Sequence, residues 1–464
     1  MAGCGRAAPP VAIDDPPAVA PAPVPLKYKD HNLVFVSFDA LQAAHVGSLG
    51  YQRDVTPTID SVARNGISFT RAYSVASWTV PASMTWFTGV YPSEHRMVNK
   101  FALYTPNEQK PAKLSELAPN LVTLAAILKK NGYVTGGFTG NAGVSGGFGY
   151  EDGFDKYEHE LSKFGSFDWS MPRAIKWLDE NKSRKFFLFL HGYDCHGQYA
   201  PPEGYDFRFV EKGYDRRYTG SEIEQETLRE EGLANGRLTL RDSDVKFWRA
   251  IYDEKIQRAD ARFKQFLDSF EKLGVSDRTL FVLTSDHGTE VFEHRRVDHG
   301  YTLYDEQLHV PLVVKLPGRS EGRSVPHRVS SIDVMPTILD LLDVDATGMK
   351  DQFRGVSLVP AIDGPAPNRD CFSETDYREY TFKRSIVSPD GWKLIATLEK
   401  KRRELYDLNA DPGEQRNLAE KEPRRADELE ARLYAHFKRI GHDLAARRWE
   451  PGLNPVYPSQ GKKK

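Results

Sequence analysis

Four short stretches hold the residues whose types and spacing could do chemistry. They read FDALQAAHVG (38–47), SWTVPASMT (77–85), LHGYDCHGQY (190–199) and TSDHGTEVFEHRRVDHGYTLYDE (284–306). Asp39, Asp286 and His287 are suitable ligands for a divalent metal. A mixed carboxylate and imidazole set suits zinc or manganese better than calcium, which prefers oxygen alone. Thr79 sits between Trp78 and a Val-Pro pair, ahead of a small, turn-prone run. That mixture fits a buried turn that presents one hydroxyl and then starts a helix. A free threonine hydroxyl is a poor nucleophile, but a bound metal can lower the pKa of an oxygen acid from about 15.7 to about 7 in the case of water. His299 lies 12 residues beyond His287, where it could protonate a leaving group or hold a second metal. His191, His294 and Glu290 are close in sequence and rank lower. Trp78, Trp86 and Phe87 read as packing around the Thr79 turn. Cys195 reads as a small buried residue rather than a partner of Cys371.

These residues need elements to hold them. LVFVSF (33–38), YVTGGF (133–138), KFFLFLH (185–191), TLFVLTS (279–285) and PLVVKL (311–316) are short apolar runs that read as buried strands. Between them, 56–66, 121–132, 167–182, 244–273 and 333–344 read as helices, with Thr56 capping the first. Strands apolar throughout and alternating with helices predict an α/β fold, a large mostly parallel central sheet covered on both faces. Asp39 and Asp286 fall just past strand ends, the edge where ligands of such sheets bind. Residues 200–243 read as a polar insertion or lid within a catalytic domain over 27–365. From 366 to 445 the pattern changes to short strands and a charged helix (422–441), a small α+β subdomain, followed by a tail over 446–464.

The bulk numbers set limits. The chain has 464 residues, 40% hydrophobic and 28% charged, which suits a globular protein with a sizeable core. Its net charge of −2 gives no pull toward nucleic acid. No run approaches the roughly 18 apolar residues of a membrane helix. Three cysteines rule out a disulfide framework. Residues 1–26 are Pro/Ala-rich, with Cys4 preceded by Ala2-Gly3. They resemble a bacterial lipobox and its tether without the apolar leader, which predicts attachment at the cell envelope by a lipid on Cys4 rather than by a membrane span.

Several motifs occur together and in order: SFDALQAAHVGSLGY, TPTIDSVARNGISFTRAY, SWTVPASMTWFTGVYPSEH, TSDHG, HGYTLYDEQLHVPLVVKLPG, SSIDVMPTILDLL and ELYDLNADPGEQRNL. With them the chain resembles a sulfatase-like member of the alkaline phosphatase superfamily. The resemblance implies a large central sheet, a small C-terminal sheet, and hydrolysis or transfer of sulfate or phosphate esters. It makes Asp39, Thr79, Asp286 and His287 the metal set and Thr79 the nucleophile. It sets His196 and His299 against the substrate.

The departures are as informative. Sulfatases proper carry Cys or Ser at the Thr79 position, oxidised to formylglycine, then Pro and Arg. Here Pro81 is followed by Ser83 in place of that arginine, and no formylglycine is expected from threonine. Ala40 replaces a second aspartate, and His287 stands where Asn is common. The Lys and His of the family are absent from GGFTGNAGV (136–144), leaving Asn141 to contact the substrate. In the threonine-bearing branch the usual Arg-Ala-Asp is Gln42-Ala43-Ala44 here. The expected function is a metal-dependent hydrolase of sulfuric or phosphoric esters, including diesters and phosphonates, acting through Thr79. The substrate would be an anionic small-molecule, lipid or glycan ester. Phosphodiesterase or phosphonate chemistry is favoured over a formylglycine sulfatase. The alternatives are a phosphoethanolamine-type transferase and a non-catalytic envelope protein that binds anionic glycans or lipids.

Overall fold

A computed structural model describes residues 26–104, 108–161, 164–197, 206–349, 351–364 and 369–449. Cys4 and nearly all of its tether therefore lie outside the described residues, as does most of the tail.

The chain is α/β. Its main sheet contains β1 (Asn32–Phe38), β2 (Ile67–Tyr73), β3 (Val134–Thr139), β4 (Lys156–His159), β5 (Phe186–Gly192), β6 (Thr279–Ser285), β7 (His309–Val310), β8 (Leu312–Lys315) and β9 (Arg323–Ser330). The order is β7–β2–β8–β6–β1–β5–β3–β4, with β9 also beside β2. β1 runs parallel to both β5 and β6, and β3 is parallel to β5 and β4. β8 is antiparallel to β6 and β2. The centre of the sheet is thus parallel, as the unbroken apolar runs predict.

The longer helices among the described residues are α1 (Pro57–Arg64), α2 (Thr79–Thr88), α3 (Leu124–Lys130), α4 (Phe167–Asn181), α5 (Glu222–Asn235), α6 (Asp242–Lys272), α7 (Val334–Leu341) and α8 (Pro423–Arg439). Successive strand residues point to opposite faces, so β1 feeds two cores. Leu33 and Phe35 pack with Phe187, Phe189, Trp86, Phe87, Leu128 and Met335. Val34, Val36 and Phe38 pack with Leu188, Leu190, Ile59, Trp177, Trp248 and Phe263. Trp86 and Phe87 are fully buried, which agrees with their reading as packing residues. Cys195 and Cys371 are both buried and free.

One local expectation needs correction. Thr56 does not cap α1 with its side chain. Its hydroxyl instead accepts from Gly47 N at 2.9 Å. The carboxylate of Asp260, from α6, accepts the backbone N–H groups of Thr58 and Ile59 at 2.8–2.9 Å. A long-range carboxylate does the capping because α6 crosses the start of α1, and an anion suits that end of a helix.

The small C-terminal sheet is an antiparallel meander of β10 (Cys371–Thr375), β11 (Lys383–Val387), β12 (Trp392–Thr397) and β13 (Arg402–Asp407). α8 packs on it through Leu429, Leu433 and Phe437. β10 also reaches the main domain near the chemistry. Glu374 N donates to Val75 O at 2.8 Å, and Ser373 Oγ donates to Ser74 O at 2.6 Å. Among the described residues no helix is long and apolar enough to cross a membrane.

Candidate active site

The parallel register explains why the acidic residues meet. Phe38 pairs with both Gly192 and Ser285, so Asp39 and Asp286 leave adjacent strands at one level of the C-terminal edge. His191 lies opposite Ser37 on the other neighbour. Donor atoms of Asp39, His191 and Asp286 all lie within 4.8 Å of one another, and the three residues are fully buried. His191, which ranks low on sequence, stands here beside both aspartates. Its signal was its place at the end of an apolar strand.

The turn after β1 is tightly specified. Ala40 adopts φ 57°, a left-handed conformation that costs an L-residue about 1 kcal/mol or more. Three bonds offset that cost. Ala40 N donates to Asp286 Oδ1 at 3.1 Å, Tyr252 Oη donates to Ala40 O at 2.7 Å, and Gln42 N donates to Tyr252 Oη at 3.0 Å.

Thr79 is the first residue of α2, after an extended Trp78. Its Oγ1 lies 3.1 Å from Asp39 Oδ2 and 3.2 Å from His287 Nε2. His287 Nδ1 lies 2.7 Å from Gly288 O. A carbonyl can only accept, so Nδ1 carries the proton and the Nε2 lone pair faces Thr79. Burial and then the neighbouring His299 push His287 down to about 3, which keeps the ring neutral. Gly143 backs Thr79: a Cβ there would stand 2.8 Å from Thr79 Cγ2.

His196 and His299 close the group. The ring of His299 lies 4.3 Å from that of His287 and 5.0 Å from that of His196. Lys255 Nζ donates to His196 O at 2.6 Å. His299 Nδ1 lies 2.8 Å from Asp298 Oδ1. Asn141 donates from its side-chain amide to Leu161 O at 3.0 Å. It sits two residues from Gly143, on the loop that touches Thr79. Among the other residues ranked low, His294 pairs with Glu306 at 2.7 Å, and Glu290 accepts from His294 N and Arg296 N. Both serve the loop after Asp286.

The electrostatics fit a cation. Burial pushes Asp286 well above the usual carboxylate range, and the charge of Asp39 adds to this. Burial acts on Asp39 in the same sense, but the His196 imidazole and the contact from His191 outweigh it and hold the carboxyl low. Asp39 Oδ1, Asp286 Oδ2 and His191 Nδ1 are buried without a hydrogen-bond partner. A buried unpaired carboxylate costs several kcal/mol (about 3–5 when one partner of a pair is lost). A divalent cation held by these three side chains would offset the cost of the two carboxylates. Asp39, His191 and Asp286 would hold it, with His287 Nε2 and Thr79 Oγ1 alongside.

Comparison with known proteins bears on this geometry. The family model described as "Sulfatase" matches residues 31–344, and that for "N-sulphoglucosamine sulphohydrolase, C-terminal" matches 292–442. Arylsulfatase K of Mus musculus is 23% identical over 450 residues, covering 87% of this chain and 78% of the relative. The phosphonate monoester hydrolase of Agrobacterium radiobacter superposes with a TM-score of 0.69 at 20% identity, covering 88% of this chain and 96% of that one. A 2-O GAG sulfatase gives 0.70 at 20% identity, covering 90% and 94%. At these identities the solved structures show a shared fold.

Proposed function

Because the chain belongs to the sulfatase family, we propose that it is a metal-dependent hydrolase of anionic esters whose nucleophile is Thr79. The observation that carries this reading is the Thr79 hydroxyl, within 3.2 Å of both Asp39 and His287 beside the buried Asp39–His191–Asp286 group. A divalent cation bound there supplies charge that makes a hydroxyl more acidic and draws off the charge that develops on the ester oxygens.

The side chains divide the remaining work. The Thr79 hydroxyl donates its one proton to either of two acceptors, Asp39 Oδ2 or His287 Nε2. Its oxygen attacks the central phosphorus or sulfur atom in line with the leaving oxygen. The bond to that leaving oxygen breaks, and His299, beside the charge of Asp298, gives it a proton. His196 flanks the same space. Water then attacks the threonyl ester at the same central atom and regenerates the hydroxyl.

Threonine carries a secondary alcohol, whose oxidation would end at a ketone and not at the aldehyde of formylglycine. A threonyl ester has no second hydroxyl to expel the acid and must be resolved by attack at the central atom. This favours phosphorus esters, diesters or phosphonates, over sulfates. The phosphonate monoester hydrolase likeness is compatible with that preference. Sulfate esters of glycans are the second reading, favoured by the arylsulfatase and 2-O GAG sulfatase likenesses. Acid-quenching the metal-loaded enzyme during turnover and mapping its peptides by mass tests the proposal. A phosphoryl or sulfuryl group on Thr79 is expected; the same adduct on another residue would overturn the assignment.

A further inference from the structure

Arg229 belongs to α5, the helix of the polar insertion, yet its side chain is only 16% exposed. Its Nη1 lies 3.3 Å from Asp298 Oδ2, and its Nη2 lies 3.2 Å from the surface carboxylate of Glu230. The other oxygen of Asp298, Oδ1, accepts the His299 backbone N–H at 3.0 Å and lies 2.8 Å from His299 Nδ1, a charge contact rather than a hydrogen bond. Asp298 holds φ 79°. A non-glycine residue persists there when its surroundings over-determine it, and Asp298 is engaged by Arg229 on one side and His299 on the other.

The same helix reaches the second histidine. A Cβ on Gly197 would meet Gln225 Nε2 at 2.3 Å, so α5 packs on the backbone next to His196. The C-terminal end of α5 has its own anchors. Tyr380 Oη donates to Leu233 O at 2.6 Å, and Arg296 Nε donates to Gly236 O at 2.7 Å. Arg229 is therefore not the bond that holds the helix in place. It is the charge the helix brings to Asp298.

We propose that Arg229 is a positioning residue. It fixes the Asp298 carboxylate, whose charge lies 2.8 Å from the His299 ring, so that the insertion sets the efficiency of leaving-group protonation. The proposal rests on the reading of His299 as the acid. Its consequence is chemical selectivity: a group that aids protonation matters most when the leaving oxygen is strongly basic.

The test compares unsubstituted phenyl and 4-nitrophenyl esters (sulfates and phosphonates) on the full metal-loaded chain. Arg229→Met should lower kcat on the phenyl ester by about tenfold, with the nitrophenyl rate and both KM values within about twofold. Arg229→Lys should restore most of the phenyl rate. Lys246→Met, which breaks an exposed pair with Glu211, should change neither. Equal losses on both esters, a rise in KM alone, or no change would overturn the proposal. Should Arg229→Met fail to fold in a thermal scan, Asp298→Asn keeps the side chain's size and carries the same comparison. His299→Ala separates the two levels. If it lacks the leaving-group selectivity, the reading of His299 as the acid fails. If it shows the selectivity and Arg229→Met does not, only the role of Arg229 fails.

Discussion

Thr79, Asp39, Asp286 and His287 were legible because each carries its chemistry in a local motif. His191 was not, because a histidine ending an apolar strand looks like a filler until the neighbouring strands are in register. The structure turns that difference into a prediction. Ala40 stands where a second aspartate is usual in the family the chain resembles, and His191 reaches Asp39 from the adjacent strand at 3.2 Å. His191→Ala removes one of the three side chains that would hold the cation and should weaken zinc binding by at least about 10–100-fold, the range for losing a group that merely supports a ligand. Competition against a chromophoric chelator measures it. Unchanged affinity would assign the cation to Asp39, Asp286 and His287 without His191.

The main strands and helices follow the hydrophobic pattern closely, because strands buried on both faces read as unbroken apolar runs. β9 was harder to read: it carries Pro326 and a register shift between Val325 and Arg328, both features of an edge strand. The polarity of 200–243 points to an insertion or lid without showing its helix, although Ser221 and Glu224 form a capping box that marks the start of α5. Contacts between distant elements left no local signal. Tyr252, on α6, clamps the turn after β1 through Ala40 O and Gln42 N. Tyr252→Phe leaves two buried backbone groups unsatisfied and should cost about 1–3 kcal/mol of stability. Because that turn carries Asp39, kcat should fall as well. A chemical-denaturation curve and steady-state kinetics check the pair. A stability loss with unchanged kcat would mean that the turn keeps its shape without the clamp.

At the scale of the molecule, the small sheet and the loop after Asp286 share a buried ionic cluster. Burial acts to lower the pKa of His294, but its bond to Glu306 outweighs this and raises it to about 9. Burial, followed by Glu306, pushes Glu290 up to about 8. Burial pushes Glu414 up to about 8 against the pull of Lys393. All three groups keep protons in the fold that the unfolded chain releases at lower pH. The folded state therefore binds more protons, and stability falls as pH rises. The His294 contribution is complete below its ordinary value near 6.5 and is lost as pH rises through about 9. The melting temperature should decline between pH 7 and 9.5, and His294→Gln should flatten the decline; an equal slope in the variant would contradict this. The central claim is tested most directly by turnover of paired nitrophenyl sulfate, phosphate, phosphodiester and phosphonate esters, with and without a chelator, by the intact chain and by Thr79→Ala. Turnover of a phosphorus ester is expected, abolished by the chelator and lowered by about a thousandfold or more in Thr79→Ala. Turnover that survives either the chelator or Thr79→Ala would contradict it.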